Sequence, residues 1–323
     1  MKSIITFLVA ALTLVFFVSG HVYGQEDPSK FPSKPITFIV PVPPGGPTDL
    51  AIRLISKEVE KYLKQPMIVI NKPGAALTLG TAAVAASKPD GYTIGYTGGP
   101  PLFFTPLLEK VPYDPIKDIR TIVRIGGFNF GVYVKADSQF KSFKDLMTFA
   151  KQNPKKLTFG TTGVNSQGHL MVEQAAKKEG VQITHIPFKG TPEVQTALLG
   201  GHVYFGAGDF NASLVEAKQI RLVMMLKDEP SAEYPGVPTI KELYGLPYPM
   251  YISVICPRAV PDAIVHKLED VFAKAMKEPG YVNGMKELRL PVKYESGKDL
   301  DAYVAQSYAY YSKLFKELGI AKK

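Results

Sequence analysis

The stretch Ile36-Thr37-Phe38-Ile39-Val40-Pro41-Val42-Pro43-Pro44-Gly45-Gly46-Pro47-Thr48-Asp49-Leu50-Ala51 decides the architecture. Five apolar or β-branched residues read as a buried strand over 36–40. A proline- and glycine-rich loop follows. From Thr48 to Lys64, Ala51, Leu54, Ile55, Val59, Tyr62 and Leu63 recur at three- and four-residue steps, which predicts a helix with one buried face. A strand passing through a tight loop into an amphipathic helix is the opening half of a βαβ unit, so the fold class is α/β.

The same alternation continues in both directions along the chain. Strands are expected at 67–70 and 92–96, with a small-residue helix over 78–86. From about Phe128 the pattern restarts: a strand at 132–134, then Ser142-Phe143-Lys144-Asp145 with capping-box spacing ahead of a helix to about Gln152. A strand at 157–160 leads through Thr161–Ser166 into a helix closed by Gly180. A strand at 183–187 precedes Thr191-Pro192-Glu193, which offers an N-cap, an N1 proline and an early acid. Further strands are expected at 203–205, 222–226 and 251–256, with helices at 262–277 and 298–318. Extended passages near 125–130 and 247–252 are candidate crossovers. The expected organisation is one lobe from 25–127 and 251–323, a second lobe from 128–250, and a hinged cleft between them.

Composition narrows the chemistry. The 323 residues carry Lys+Arg 38 against Asp+Glu 29, a net charge of +9, but the lysines lie singly or in pairs with no run of five and no arginine cluster. That pattern argues against a nucleic-acid partner and favours small anions. A single cysteine, Cys256, excludes an internal disulfide framework and any four-thiolate metal site; within its apolar run it reads as inert core. His169, His185, His202 and His266 show no paired metal-ligand spacing, and neither G-x-x-x-x-G-K-[ST] nor G-x-G-x-x-G occurs, so neither metal nor cofactor is expected.

The amino-terminal segment reads as an address. Lys2 is followed by an apolar run from Ile4 to Val18, shorter than the roughly 20 residues that span a bilayer. Val22-Tyr23-Gly24 then precedes the polar Gln25-Glu26-Asp27, so cleavage is expected after Gly24, giving residues 1–24 as a signal peptide and an exported, periplasmic product.

Four loops are candidates for chemistry. In open α/β sheets ligands bind at the carboxyl ends of strands, where helix N-termini offer unpaired N–H groups. Val42 to Asp49 occupies such a place, either as a ligand-contacting loop or as a plain turn capped by Thr48 or Asp49. Thr161 to His169 has the same geometry in the other lobe, with Ser166 as N-cap and the Thr161 or Thr162 hydroxyl as a further donor. A serine hydrolase is disfavoured there, since Gly163-Val164-Asn165-Ser166-Gln167-Gly168 is one residue too long for a nucleophile elbow and His169 follows on the same turn. Lys189-Gly190 offers a cation at a turn or a solvated surface lysine. Gly206-Ala207-Gly208-Asp209, expected to follow a strand, offers either close ligand approach or a simple turn.

Taken in order, several segments resemble one family. They are Lys34-Pro35-Ile36-Thr37 leading into VPVPPGGPTDLAIRL, Gln65-Pro66 before MIVIN, Asn71-Lys72-Pro73-Gly74-Ala75, and Lys88-Pro89-Asp90-Gly91-Tyr92-Thr93. His185-Ile186-Pro187-Phe188-Lys189-Gly190, Leu198-Leu199-Gly200-Gly201 and Pro235-Gly236-Val237-Pro238-Thr239 complete the series. The chain resembles, almost end to end, the Bug (Bordetella uptake gene) family, the extracytoplasmic solute-binding components of tripartite tricarboxylate transporters.

The resemblance implies a two-lobed type II periplasmic binding fold whose cleft grips a carboxylate, partly through waters held by the first loop and the turn at 97–100. By position, the first-lobe contacts are Val42, Pro43, Pro44, Gly45, Gly46, Thr48 and Asp49, with Gly98, Gly99 and Pro100. The second-lobe contacts are Thr161, Thr162, Ser166, His169, Lys189 and Gly190, with Gly208 and Asp209. Two departures stand out. Gly98-Gly99-Pro100-Pro101 replaces a small polar pair, and the family's Phe-Asp falls on Ala207-Gly208, leaving Asp209 one step late. Phe103 and Phe104 read either as pocket wall or as core.

The expected function is capture of a small organic anion and its delivery to integral-membrane permease subunits, by a monomer that performs no catalysis. The alternatives are a periplasmic sensor feeding a signalling receptor, and an exported α/β hydrolase.

Overall fold

The computed structural model describes residues 27–317 other than 165 and 249, together with 319, 321 and 322. The signal peptide and its cleavage after Gly24 lie outside the described residues.

The first half of the chain alternates β1 (Ile36–Val40), α1 (Pro47–Leu63), β2 (Met67–Asn71), α2 (Thr78–Ala85), β3 (Thr93–Thr97) and the short α3 (Thr105–Leu108), then runs through β4 (Ile119–Gly127) and β5 (Phe130–Lys135). There follow α4 (Phe143–Gln152), β6 (Thr158–Thr161), α5 (Gln167–Glu179), β7 (Thr184–Pro187), α6 (Thr191–Leu199) and β8 (Phe205–Asp209). The remainder is α7 (Ala212–Glu216), β9 (Ile220–Met225), α8 (Ile240–Tyr244), β10 (Tyr251–Pro257), α9 (Asp262–Ala275), α10 (Pro279–Glu287), β11 (Val292–Ser296) and α11 (Gly297–Glu317).

Two sheets organise these elements. The first has the order β11-β4-β10-β3-β1-β2 and the second β7-β6-β8-β5-β9. The chain passes from the first sheet to the second between β4 and β5 and returns between β9 and β10, giving the two-lobed α/β periplasmic binding architecture. In the first sheet β1, β2 and β3 run parallel, with Ile39 opposite both Ile70 and Gly95. In the second, β6 runs parallel to β7 and to β8. The loops after β1 and β3 therefore share one edge, and those after β6, β7 and β8 share another.

The phase of α1 differs from the sequence expectation. Ala51, Ile52, Ile55 and Val59 are fully buried, whereas Tyr62 is 39% exposed and its hydroxyl donates to Glu278. Ile52 rather than Tyr62 completes the buried stripe against Phe38 and Phe272. The cap offered by the plain-turn alternative, Thr48 or Asp49, does not form: Gly46 caps α1 by its backbone alone, with Pro47 at the start of the helix. Gly190 likewise replaces the expected Thr191 as cap of α6. Ser142 forms the expected capping box with Asp145, and Ser166 and Gly180 bracket α5 as expected.

Of strand β4 only the end is anticipated by the sequence, as the extended passage near 125–130, because Arg120 and Arg124 interrupt its apolar run. Both charges escape the core at the strand's margins, Arg120 to Asp262 and Arg124 to Glu295, while Ile122, Val123 and Ile125 are buried. Residues 206–209, expected to follow a strand either as a segment of close ligand approach or as a turn, lie inside β8, where Gly206 pairs with Gly160 on one side and Tyr133 on the other. A Cβ at Gly206 would meet the Tyr133 ring, so the glycine belongs to packing. Cys256 is fully buried in the core of the first sheet, as expected.

A second core crosses from sheet to sheet. Phe103, Phe104, Tyr311 and Phe315 pack together and continue into Met171, Phe159 and Phe205 of the second sheet's side. Phe103 is core outright, with no exposed surface. The helix α11 carries this junction: Tyr311 donates to the Pro247 carbonyl, and Tyr303 donates to Asp228 Oδ2 at 2.6 Å.

Candidate functional site

The loop after β1 is built around one buried carboxylate. Asp49 is 1% exposed; its Oδ2 accepts from Gly45 N–H at 2.9 Å and from Arg53 Nε at 2.9 Å. Its Oδ1 accepts from Asn71 Nδ2 at 2.8 Å, and the same amide donates to the Val42 carbonyl at 2.9 Å. Burial alone would raise this carboxyl, but the hydrogen bonds from Arg53, Gly45 and Asn71 outweigh it and hold Asp49 below the ordinary range. Asp49 thus positions the loop from beneath and has little left to offer a ligand. Pro43, Pro44 and Gly45 are exposed, and Gly46 faces open space, with nothing within 4 Å of where a Cβ would stand.

Beside this loop, Ala75, Ala76 and Leu77 take three successive left-handed conformations, φ 47°, 49° and 74°. Such backbone is costly for residues with a Cβ, and a run of it concentrates strain at one corner. After β3, Gly98 and Gly99 are buried, and only Pro100 of that turn reaches the cleft.

On the opposite edge, Thr161 is fully buried and its hydroxyl is saturated. Oγ1 donates to the Gly163 carbonyl at 3.0 Å and accepts from Ser166 Oγ at 2.9 Å. Since that single proton is committed, His185 Nε2, 2.7 Å away, is the donor to the same oxygen. Behind Thr161 the His185 ring stacks on His169 with centroids 3.9 Å apart. Burial lowers both imidazoles, His185 to about 4 with His169 adding repulsion, so the pair is neutral at pH 7. His169 and Thr161 are therefore supports. Ser166 lines the cleft but commits its hydroxyl proton to Thr161 and caps the His169 N–H, so among the described residues the free hydroxyl of this loop is that of Thr162.

The cleft itself encloses about 750 Å³, within the usual range for small-molecule sites. Of the residues singled out from sequence, Pro100, Thr162, Ser166, Gly208 and Asp209 line it. The loop 42–49 stands outside the enclosed volume, on the edge it shares with Pro100 and Ala76. Lys189 is exposed and Gly190 half-buried just outside, where Lys189 N–H donates to Glu193 Oε2; Thr191 is the residue of that turn that enters. Sequence reasoning missed Ala76, Glu109, Phe130, Gln167 and Thr191. Thr191 sits next to Lys189-Gly190, Gln167 next to Ser166 and Ala76 next to the Asn71–Ala75 motif, so three of the five were adjacent to a signal. Phe104, left open between pocket and core, is both: 5% exposed, stacked edge-on against Tyr311 at 4.8 Å, and part of the cleft wall.

The electrostatics are specific. The N-terminus of α5 opens on the cleft through Ser166, Gln167 and Gly168, and that of α6 through Thr191. Their first-turn N–H groups lack intrahelical acceptors and carry the positive end of each helix dipole. Among the described residues no lysine or arginine lines the cleft, whereas Glu109 and Asp209 do. Asp209 is accessible from the cleft, yet the surrounding walls push its carboxyl up, partly offset by the Phe210 N–H. The arrangement suits an anion held by neutral donors at one end, with acceptor oxygens elsewhere on the wall. Among the described residues there is no group of His, Cys, Asp and Glu fit to hold a metal ion.

Comparison with known proteins follows the same line. Residues 51–320 match the family described as tripartite tricarboxylate transporter family receptor. A Cupriavidus necator protein, described as UPF0065 protein in gbd 5'region, is 36% identical over 301 residues, covering 93% of this chain and 92% of its own. The crystal structure of a TctC solute-binding protein from Polaromonas superposes with a TM-score of 0.79 at 26% identity, covering 89% of this chain and 99% of that one. An R. palustris protein solved with adipate superposes at 0.70 with 27% identity, covering 90% and 99%.

Proposed function

This chain belongs to the tripartite tricarboxylate transporter receptor family, a family of solute-binding receptors rather than enzymes, and from that premise we propose that its ligand is a small organic anion gripped through a carboxylate. The observation that carries this reading is the convergence of two helix N-termini, α5 and α6, on a cleft lined by the Thr162 and Thr191 hydroxyls. Oriented N–H groups and hydroxyls hold a carboxylate without a counter-charge to desolvate. The R. palustris relative solved with adipate supports the same ligand class.

The lobes are 25–127 with 251–323, and 128–250; the division of strands between the two sheets supports those limits. Closure brings the loop 42–49, scaffolded by Asp49, over the ligand's carboxylate from the first lobe, while Lys189 approaches from the second. Water is expelled and the charge-assisted hydrogen bonds strengthen. The ligand leaves unchanged. The protein acts as a monomer in the periplasm after loss of residues 1–24 and passes its cargo to integral-membrane permease subunits. Among the described residues no helix is long and apolar enough to cross a membrane.

The test is a thermal-stability screen of residues 25–323 against di- and tricarboxylates, aromatic acids and amino acids. A ligand at about 100 times its dissociation constant adds about 2.7 kcal/mol to stability. A stabilising acid recovered intact supports the proposal. No shift with any acid, or chemical conversion of one, overturns it.

A further inference from the structure

A second cavity, sharing no lining residue with the cleft, lies where the chain crosses between the sheets. It encloses about 370 Å³ between Arg124 of β4, the segment 227–232 after β9, the crossover residues Tyr248, Met250 and Tyr251, and Pro291 to Glu295 around β11. Its walls thus come from strands of the first sheet and from the segment that follows the last strand of the second.

Seven charged side chains line it, and they pair off unevenly. Arg124 Nη1 meets Glu295 at 3.1 Å, Lys293 meets Glu229 at 2.7 Å, and Lys241 approaches Asp228 at 3.9 Å. Lys227 is left over: among the described residues it makes no ion pair, although it is half-buried. Burial first, and then the neighbouring Arg124, lower its pKa, with Glu233 and Glu229 acting the other way. The second observation is independent of charge. Tyr251 and Tyr248 also line this cavity, and their buried hydroxyls have no hydrogen-bond partner among the described residues. Buried polar groups of this kind are normally satisfied, and an unmatched one calls for an explanation. An unpaired ammonium, the guanidinium of Arg124 and the unmatched Tyr251 hydroxyl beside it share a single complement.

We infer that this cavity is a second anion site, built for a small oxyanion of the carboxylate or phosphate type, with Lys227 supplying the charge and Tyr251 a hydroxyl donor. The occupant neutralises the cation of this cavity that makes no ion pair among the described residues. Because one wall is the first sheet and the other the segment 227–241 that follows β9, it also bridges the junction about which the lobes move.

The full mature chain is titrated separately with inorganic phosphate and with acetate, at constant ionic strength set with chloride, by calorimetry and, for phosphate, by ³¹P NMR. Saturable one-to-one binding of either probe is expected, and the tighter of the two identifies the oxyanion. Lys227→Met should weaken it by about tenfold or more, Lys227→Arg should retain it, and Gly46→Leu at the cleft should leave it unchanged. In buffer without either probe, Lys227→Met should melt at or above the wild-type temperature, because a desolvated cation beside Arg124 has been removed. A lysine that merely supported the fold would lower it. The inference is overturned by the absence of saturable binding of both probes, by unaltered binding in Lys227→Met, by its loss in Gly46→Leu, or by destabilisation of Lys227→Met.

Discussion

Asn71 Nδ2 lies 2.8 Å from Asp49 Oδ1 and 2.9 Å from the Val42 carbonyl, so one side-chain amide at the end of β2 ties the helix α1 to the loop that precedes it. Truncating Asn71→Ala leaves a buried carboxylate oxygen and a carbonyl without a donor. The expected cost is about 1–3 kcal/mol of stability, read from the urea midpoint, with a matching loss of carboxylate affinity as the loop 42–46 loosens. Unchanged affinity in a folded Asn71→Ala protein would remove the loop from the site.

Two glycines of the site should respond in opposite ways. Gly46 has an ordinary φ of −76° and nothing within 4 Å of its missing Cβ. Gly46→Leu should therefore keep its stability within about 0.5 kcal/mol while blocking the ligand. At Gly168 a Cβ would run into the Ala207 carbonyl, so Gly168→Ala must push α5 away from β8. That variant should lose stability and ligand binding together, as thermal melts with and without ligand will report.

The neutral histidine pair makes stability pH-dependent. His185 is held at about 4 in the fold against an ordinary 6.5. As pH falls from 6.5 toward 4 the unfolded chain takes up a proton that the folded chain refuses, so stability falls through that window and is level above it. His185→Gln should flatten the slope of the urea midpoint between pH 7.5 and pH 5. An unaltered slope would show that other groups produce it.

Asp209 faces the cleft with a carboxyl pushed up by its surroundings. Replacing it with asparagine removes a negative charge from the wall, so Asp209→Asn should bind dicarboxylates about three- to tenfold more tightly, on the order of 1 kcal/mol for screened charges several ångströms apart. For the same reason wild-type affinity for a strong-acid anion should rise as pH falls through the Asp209 titration. Calorimetric titrations at two pH values with both proteins check both statements.

Cys256 has no exposed surface and burial pushes its thiol up to about 12. It should resist aromatic disulfide reagents in the native protein and react only at the rate of global unfolding. Rapid labelling in native buffer would contradict the buried placement.

Much of this was legible in the residues. The strand at 36–40, the capping box at Ser142 and the αL stop at Gly180 follow from local patterns that tertiary packing had no reason to override. Most of strand β4 was not legible, because Arg120 and Arg124 mask its apolar period and find their partners only in Asp262 and Glu295, far along the chain. The site divides in the same way. Thr162 and Ser166 could be picked from a strand-to-helix loop, but that Thr161 and Asp49 spend their polar atoms inward depends on His185 and Asn71, which no spacing rule connects to them. Glu109 reaches the cleft from a segment with no motif at all.

The strand order β11-β4-β10-β3-β1-β2 bears on how the chain comes to fold. Every strand of the second sheet lies between residues 130 and 225, whereas the first sheet stays divided until β10 inserts between β3 and β4, setting Ser253 against Thr97. Joining partners so distant in sequence is slow, because the entropy of closing the intervening loop is spent before the contacts form. Synthesis must pass residue 257 before the larger sheet can become continuous, so β4 cannot join β1, β2 and β3 in one sheet until most of the chain has left the ribosome.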